Sequence, residues 1–173
     1  MANNCYFEMR AVGLSEDSLK KFFECVSARY NYNYNMETRR YSLDYCTADK
    51  HLFRIFDAYL NYLDEEDDGK YAICISGDCV WSVSCCMFGG KHSYYHDFSN
   101  KVEPGTRFYG TTIPLLAKQF DIDIEIFSDE GSFMEHYLVR KDGTIEINEF
   151  VEYDEETEND EQIDGFKEWD YNI

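Results

Sequence analysis

Residues 121–126 alternate strictly between an acid and isoleucine, in the order Asp-Ile-Asp-Ile-Glu-Ile. Successive side chains of a β-strand point to opposite faces, so this period of two is typical of a strand that is buried on one side only. We therefore predict a strand with its isoleucines inward and with Asp121, Asp123 and Glu125 outward. Any fold of this chain has to bury one face of this strand and leave the acids outside.

Further strands are predicted where apolar runs are bounded by turn residues. They are Cys5–Val12, Tyr71–Ser76, Val80–Phe88, Phe133–Arg140 and Thr144–Phe150, with tight turns at Gly77-Asp78 and Asp142-Gly143. The segment Tyr30–Asn35 is interpreted as irregular or as an edge strand, because Asn favours turns. Hairpins require antiparallel pairing, so the sheet is predicted to be antiparallel.

Three helices are predicted from apolar residues at helical spacing. The first follows an N-cap at Ser15, the second runs from about Asp49 to Leu63, and the third begins at Thr111 or Thr112 with Pro114 in its opening turn. Together the elements predict an α+β fold, with an antiparallel sheet and helices packed on one face.

The acidic residues divide the chain into two regions. The chain holds 35 acids and 16 bases, for a net charge of −19. Residues 149–173 contain 11 of those acids and a single base, Lys167, and are interleaved with aromatic residues. We therefore predict an α+β domain at 1–148 and an acidic, aromatic-containing extension at 149–173. So few scattered cations argue against direct binding of duplex nucleic acid.

Seven cysteines without a regular spacing are typical of reduced thiols in a reducing compartment. The chain has no apolar run of the ~20 residues that a membrane helix needs, and residues 1–10 lack the apolar core of a signal peptide. The prediction is a cytoplasmic protein that makes no contact with a membrane.

Three motifs follow one another along the chain. They are the opening Met1–Cys5 that enters a strand closed by Gly13, the stretch Gly77–Val83 followed by Cys85-Cys86-Met87, and the helix, strand and acidic turn from Leu115 to Phe133 with Glu135-His136-Tyr137 behind it. Together they resemble YubB-type ferredoxin-like proteins of phages and plasmids, and the resemblance implies a bacterial host cell. The resemblance covers about three fifths of the chain. It implies a ferredoxin-like α+β fold without an iron–sulfur cluster, on a mobile genetic element, and it implies no catalytic residues.

Three arrangements of residues could support chemistry. Cys79, Cys85, Cys86, His92 and His96 are residue types that bind zinc, but adjacent cysteines in a strand point to opposite faces, and core thiols are the favoured interpretation. A nucleophilic Cys79 could meet His136, although nothing in the sequence demands it. Carboxylates that include Asp129, Glu130 and Glu135 could hold a cation, but a solvated sheet face is favoured. No cofactor, metal site or catalytic residue is predicted.

The leading hypothesis is a non-enzymatic interaction protein whose acidic surface occupies a basic, nucleic-acid-binding groove of a host defence effector such as an RNA-guided nuclease. An exposed sheet edge would also invite a homodimer. The alternative is a small nucleotide- or signal-molecule-binding protein or enzyme with a local pocket formed by Arg39, Arg40, Arg107 or Arg140. The residues predicted to contact the partner are Tyr94, Tyr95, Asp121, Asp123, Glu125, Asp129, Glu130, Glu152, Asp154, Glu155, Glu156 and Trp169.

Overall fold

Eight strands and three helices are found in the computed structural model, which describes residues 4–27, 32–35, 40–43, 51–52, 55–88, 111–152 and 171–173. The helices are α1 (Glu16–Ser27), α2 (Val83–Met87) and α3 (Ile113–Phe120). The strands are β1 (Asn4–Gly13), β2 (Tyr32–Asn35), β3 (Arg40–Leu43), β4 (Ile55–Glu65), β5 (Tyr71–Val80), β6 (Ile122–Asp129), β7 (Phe133–Val139) and β8 (Ile145–Glu152).

Six strands form one sheet in the order β4-β5-β1-β6-β7-β8, while β2 and β3 form a separate two-stranded sheet. Every neighbouring pair is antiparallel. An antiparallel six-stranded sheet accompanied by helices is an α+β arrangement, so the predicted fold class is confirmed at that level. Strand β2 lies in the segment interpreted as irregular or edge strand, and each strand of a two-stranded sheet is an edge strand.

The two longer helices pack on the same face of the large sheet. Strand β1 alternates in burial, and its Cys5, Phe7, Met9 and Ala11 are fully buried. These side chains share one apolar cluster with Leu19, Phe22 and Val26 of α1 and with Ile113, Leu116 and Ala117 of α3. We call this side the helix-covered face. The opposite side is called the polar face; it carries Glu8 and Arg10 of β1 and the side chains in register with them.

The predicted starts of two helices are found. The amide of Ser18 donates to Ser15 Oγ at 3.2 Å, so Ser15 caps α1. Thr112 is the N-cap residue of α3, and Pro114 lies in the first turn, where its missing amide hydrogen needs no partner. At the other end of α3, Asp121 adopts a left-handed conformation with φ 55°, which ends the helix before β6 begins.

The helix predicted for Asp49–Leu63 is wrong, because Ile55–Glu65 form strand β4. Two irregularities, between Ile55 and Asp57 and between Leu60 and Tyr62, shift the register of β4 against β5. Each one inserts an extra residue, so the side chains on one face follow at 55, 58, 60 and 63 rather than at every second position. The helix prediction instead rests on an apolar face that includes Phe56 and Tyr59, which are 47% and 57% exposed.

The turn predicted at Gly77-Asp78 is also wrong, because β5 continues unbroken through Val80. Glycine is needed at position 77 for close packing. A Cβ there would lie 2.1 Å from the main-chain oxygen of Asp57 and 2.8 Å from Cζ of Phe7. The chain turns four residues later, at Trp81, where φ is 68°. Ser82 then accepts a hydrogen bond from the amide of Cys85 and caps α2, so the predicted strand Val80–Phe88 is wrong as well.

The closing hairpin is confirmed, and its second strand ends two residues later than predicted. Strands β7 and β8 pair around Asp142-Gly143, and Gly143 has a positive φ of 86°. Strand β8 continues through Glu152 and therefore crosses the predicted domain boundary between residues 148 and 149. Within the described ranges, no helix is long and apolar enough to cross a membrane.

Candidate functional site

Five of the predicted contact residues lie at the ends of strands. Asp121 and Asp123 are at the start of β6, and Asp129 and Glu130 are at its other end. A strand rises about 3.3 Å per residue, so the two groups are roughly 20 Å apart. Glu152 is the exposed last residue of β8. The structure therefore separates Asp121 and Asp123 from Asp129 and Glu130, and it places Glu152 at the same end of the sheet as the second pair.

Two cations and one main-chain amide lie close to the carboxylates of Asp121 and Asp123. Asp123 accepts a hydrogen bond from the amide of Lys141 at 2.9 Å and lies 3.7 Å from Nη1 of Arg140. Asp121 lies 3.7 Å from Nζ of Lys141. Arg140 also forms an ion pair with Glu146. The side chain of Arg140, one of four arginines considered for an anion pocket, is therefore engaged by carboxylates.

The second pair shapes the turn between β6 and β7. Oδ1 of Asp129 accepts from the amide of Gly131 at 2.7 Å, and Glu130 accepts from both the amide and the hydroxyl of Ser132. Gly131 has a positive φ of 93°, which glycine adopts without strain. These contacts give both acids a role in forming the turn.

Glu125 was predicted to face solvent, and this prediction is wrong: the residue is completely buried. The alternation itself is correct, because Ile124 and Ile126 are buried on the helix-covered face and Glu125 points to the polar face. The error lies in the assumption that the polar face is solvated at this point. Residues distant in sequence cover Glu125 there.

Glu125 and His136 form the centre of a polar network. Oε1 of Glu125 lies 2.8 Å from Nε2 of His136, and the other ring nitrogen lies 3.2 Å from Oε2 of Glu149. Asn172 donates to both oxygens of Glu125, from its main-chain N–H at 2.5 Å and from its side-chain Nδ2 at 2.6 Å. The ring of Phe127 stacks on the imidazole at 4.5 Å between centroids. Two carboxylates therefore hold a nearly buried imidazole from opposite sides.

The pKa values in this network follow from its hydrogen bonds. Burial disfavours the charge of Glu125, but hydrogen bonds from His136 and Asn172 outweigh burial and lower the pKa of the carboxyl group. Burial also disfavours the charge of His136, but its bonds to Glu125 and Glu149 outweigh that effect and raise the pKa of the imidazole. Both shifts favour an ionised pair.

The residues on either side of Asn172 are bound as well. Tyr171 donates its hydroxyl to Oε1 of Glu8 at 2.8 Å, and its ring lies 5.1 Å from the ring of Phe127. Burial and the neighbouring Glu8 raise the pKa of the Tyr171 hydroxyl. Arg10 donates from Nε to the main-chain oxygen of Ile173 at 2.7 Å. Residues 171–173 therefore lie across the middle of the polar face, each held by a different side chain.

A second buried carboxylate, Glu135, lies on the helix-covered face. Its Oε2 accepts from the amide of Val83 at 2.9 Å and from the hydroxyl of Ser128 at 3.0 Å. Its Oε1 accepts from the amide of Ser84 at 3.3 Å and from the hydroxyl of Tyr137 at 3.3 Å. Burial and the nearby Glu135 raise the pKa of the Tyr137 hydroxyl, which therefore stays protonated as a donor. Glu135 fixes the start of α2 to strand β7.

Two of the cysteines considered for zinc, Cys85 and Cys86, do not lie in a strand. Cys85 and Cys86 lie in α2, and Cys86 donates its thiol to the main-chain oxygen of Val80 at 3.0 Å. Cys79 is fully buried beside Cys5, its cross-strand partner, and hydrogen bonding with Cys5 and Cys86 together with burial raises the pKa of its thiol. Across the described ranges, no group of three or more metal-ligating side chains is close enough to hold an ion.

The hypothesis that Cys79 attacks with help from His136 is wrong. Cys79 is paired with Cys5 on the helix-covered face, whereas His136 is paired with Phe127 on the polar face. Side chains on opposite faces of a sheet are separated by the sheet itself. The cysteine and the histidine therefore cannot share a proton or a substrate.

The outer strand β8 is the most exposed element of the sheet. Seven of its eight residues are exposed, among them Phe150 at 57% and Val151 at 39%. Three glutamates and no cation lie along it: Glu146, Glu149 and Glu152. We call Ile145–Glu152 the β8 edge. It combines negative charge with exposed apolar side chains at one rim of the large sheet.

Several predicted positions lie outside the described residues. The predicted contact residues in this group are Tyr94, Tyr95, Asp154, Glu155, Glu156 and Trp169, and the other residues considered above are His92, His96, Arg39 and Arg107. Sequence reasoning missed Glu8, Arg10 and Tyr171–Ile173 as a contact set. A signal was present in β1, where Glu8 and Arg10 alternate with buried apolar residues and mark a charged face. Comparison of the chain with protein-family models, curated proteins and solved structures gives no match.

Proposed function

We propose that this chain is a non-enzymatic binding protein of a mobile genetic element, and that it inhibits a host defence effector by occupying the basic groove in which that effector binds nucleic acid. The β8 edge is the observation that carries the proposal. It presents three carboxylates, two of which also contact Arg140 and His136, beside exposed Phe150 and Val151 on one extended strand. Acidic residues attract a cationic groove. An exposed aromatic residue that becomes buried in a complex is a typical anchor of an interface.

The state of the cations supports an anionic surface. Within the described residues, six cations form ion pairs with carboxylates: Arg10, Lys20, Lys21, Lys70, Arg140 and Lys141. A protein that binds phosphate groups needs cations that face its ligand. The balance instead leaves the acids as the surplus charge, in agreement with a net charge of −19.

The strand connections support a ferredoxin-like core within the sheet. The four strands β4-β5-β1-β6 follow one another in space, and α1 lies between β1 and β4 in the chain while α3 lies between β5 and β6. Two interlocked β-α-β units of this kind are the pattern of a ferredoxin-like domain. Strands β7 and β8 would then be an added hairpin, and the β8 edge would be a feature added to the common core.

The test is binding to a panel of purified nucleic-acid-binding defence complexes at low and high salt. A double variant, E146Q/E152Q, removes two charges from the β8 edge. The matched control, E16Q/E24Q, removes two charges from exposed positions of α1. We expect the β8 variant to lose at least tenfold in affinity, the control to lose less than twofold, and the binding of the wild type to weaken in high salt.

The proposal also predicts competition. A nucleic acid that fills the groove of the effector should displace the protein. Binding that persists unchanged in high salt, equal losses in the two variants, or simultaneous binding of protein and nucleic acid would each overturn the proposal. The variant F150A tests the apolar anchor separately, because it leaves the charge unchanged.

A further inference from the structure

The middle of the polar face forms a binding site that residues 171–173 of the same chain occupy. Three consecutive residues of the chain cross it, and each is bound by a different strand residue: Tyr171 by Glu8, Asn172 by Glu125 and Ile173 by Arg10. The four hydrogen bonds measure between 2.5 and 2.8 Å. Such short contacts to charged groups are the stronger class of hydrogen bond in proteins.

Two of the three strand residues that bind this segment, Arg10 and Glu125, are held by other residues of the sheet. Arg10 donates from Nη1 to the hydroxyl of Tyr62 at 2.7 Å and from Nη2 to Glu66 at 2.8 Å, so its Nε is aimed by neighbours on β4 and in the turn that follows. Glu125 is held by His136, which is in turn held by Glu149. These supporting contacts do not involve residues 171–173. The site is therefore organised by groups other than its occupant, as a binding site usually is.

The chemistry of the contacts defines what the site accepts. Glu8 accepts a phenol hydroxyl, and the Phe127 ring packs beside that phenol. Both oxygens of Glu125 accept from one residue, through its main-chain amide and its carboxamide. Arg10 then binds the next main-chain carbonyl. The order of these groups matches an extended peptide that carries tyrosine followed by asparagine.

We propose that the polar face carries a recognition site for a short extended Tyr-Asn peptide segment, which residues 171–173 occupy in cis and which a segment of the same chemistry from a partner protein can occupy in their place. The site lies on the sheet face rather than on the β8 edge. It therefore does not depend on the function proposed above.

Because residues 171–173 already occupy the site, a free peptide has to compete with them for it. A tethered segment acts at an effective concentration on the order of millimolar, so a free peptide of equal intrinsic affinity competes poorly with it. Weakening the tethered segment should uncover the site without altering the strand residues that form it. The affinity for a free peptide should then rise.

The experiment uses the full-length chain and a fluorescent peptide with the sequence of residues 168–173, Glu-Trp-Asp-Tyr-Asn-Ile. The double variant Y171F/N172A keeps the ring and removes the phenol hydroxyl and the carboxamide. We expect this variant to bind the peptide at least tenfold more tightly than the wild type. A peptide in which Phe-Ala replaces Tyr-Asn should bind at least tenfold more weakly than the original peptide.

The strand residues that form the site are tested in the Y171F/N172A variant. Adding E125Q to Y171F/N172A should reduce peptide affinity at least tenfold, whereas adding E65Q, which alters an exposed acid of β4, should change it less than twofold. The single variant Y171F gives a second, milder way to uncover the site if the double variant is unstable. Peptide binding equal to that of the wild type in both uncovered variants, or binding that E125Q leaves intact, would overturn the proposal.

Discussion

Within the described residues, two glutamates are buried, one on each face of the same sheet, and their surroundings differ. Glu135 is 1% exposed, and its donors are two amides at the start of α2 and two hydroxyls of adjacent strands. Glu125 is 0% exposed, and its donors are a histidine and a segment from far along the chain. The first carboxylate is satisfied by permanent parts of the fold, and the second by an ionisable ring and a short segment.

The difference shows two uses of a buried charge. Burial of a carboxylate without partners is expensive, so each position needs a full set of donors. On the helix-covered face those donors are main-chain amides and hydroxyls that keep their state at every moderate pH, and the contact joins α2 to the sheet. On the polar face the donors can leave or change their charge. We therefore expect Glu135 to govern global stability and Glu125 to govern the docking of residues 171–173.

Removing Glu135 should have the largest effect. In E135A, the amides of Val83 and Ser84 and the hydroxyls of Ser128 and Tyr137 lose their acceptor inside the protein. The free energy of unfolding should fall by about 3 to 5 kcal/mol, because each buried unsatisfied group is costly. Urea denaturation measures this loss. The variant E135Q keeps an acceptor and should lose less, and a loss in E135A below that in E125Q would contradict the comparison.

Removing the charge of Glu125 should have a smaller and more local effect. E125Q weakens charge-assisted hydrogen bonds to His136 and Asn172, for an expected loss of about 2 kcal/mol. Amide hydrogen exchange at Asn172 should accelerate strongly, while exchange at Val83 should stay slow. Equal acceleration at both amides would show that Glu125 stabilises the whole fold rather than the docked segment.

Removing one hydroxyl from the docked segment should have a still smaller effect. Y171F keeps the ring beside Phe127 and loses only the hydrogen bond to Glu8. The free energy of unfolding should fall by about 1 kcal/mol, the usual contribution of one hydrogen bond. Thermal denaturation, compared with the exposed control Y59F, measures the change. An unchanged melting temperature in Y171F would show that the hydrogen bond between Tyr171 and Glu8 does not stabilise the folded protein.

The smallest expected effect is a pH dependence that belongs to the polar face alone. The raised pKa of His136 means that its contribution is complete below the ordinary value of 6.5 and is lost as the pH rises through the raised value. The lowered pKa of Glu125 means that its contribution is complete above 4.5 and is lost as the pH falls through the lowered value. The pair therefore stabilises most between about pH 4.5 and 6.5.

Among the described residues, the charged groups that face this pair include Glu149 of β8, Arg10 of β1, Arg140 after β7 and, beyond the docked Tyr171, Glu8. The measurement is the free energy of unfolding against pH for the wild type and for H136N. Above pH 6.5 the wild type should lose stability, and the variant should lack that component. Identical slopes in the two proteins would show that His136 is not charged in the folded state.

The pattern of residues was sufficient for the central strands β1 and β6, for the closing hairpin and for α1. In β1 and β6 the alternation matches the strand period, and Ser15, Pro114 and Asp142-Gly143 act locally, so neighbouring residues alone specify these elements. Strand β4 could not be predicted in the same way. Its two register shifts depend on pairing with β5, and the close approach of Gly77 to Asp57 and Phe7 exists only in the assembled sheet.

The sequence by itself determined the α+β class, the strand alternation and the excess of acid, because these follow from local periodicity and from composition. Only the tertiary structure decided which acids are exposed. Glu125 and Asp123 stand on the same face of β6 with the same alternation, yet one is fully buried and the other is not. The physical reason is that Asn172 lies 47 positions beyond Glu125 and His136 lies on the next strand, and burial by distant residues leaves no trace in local sequence.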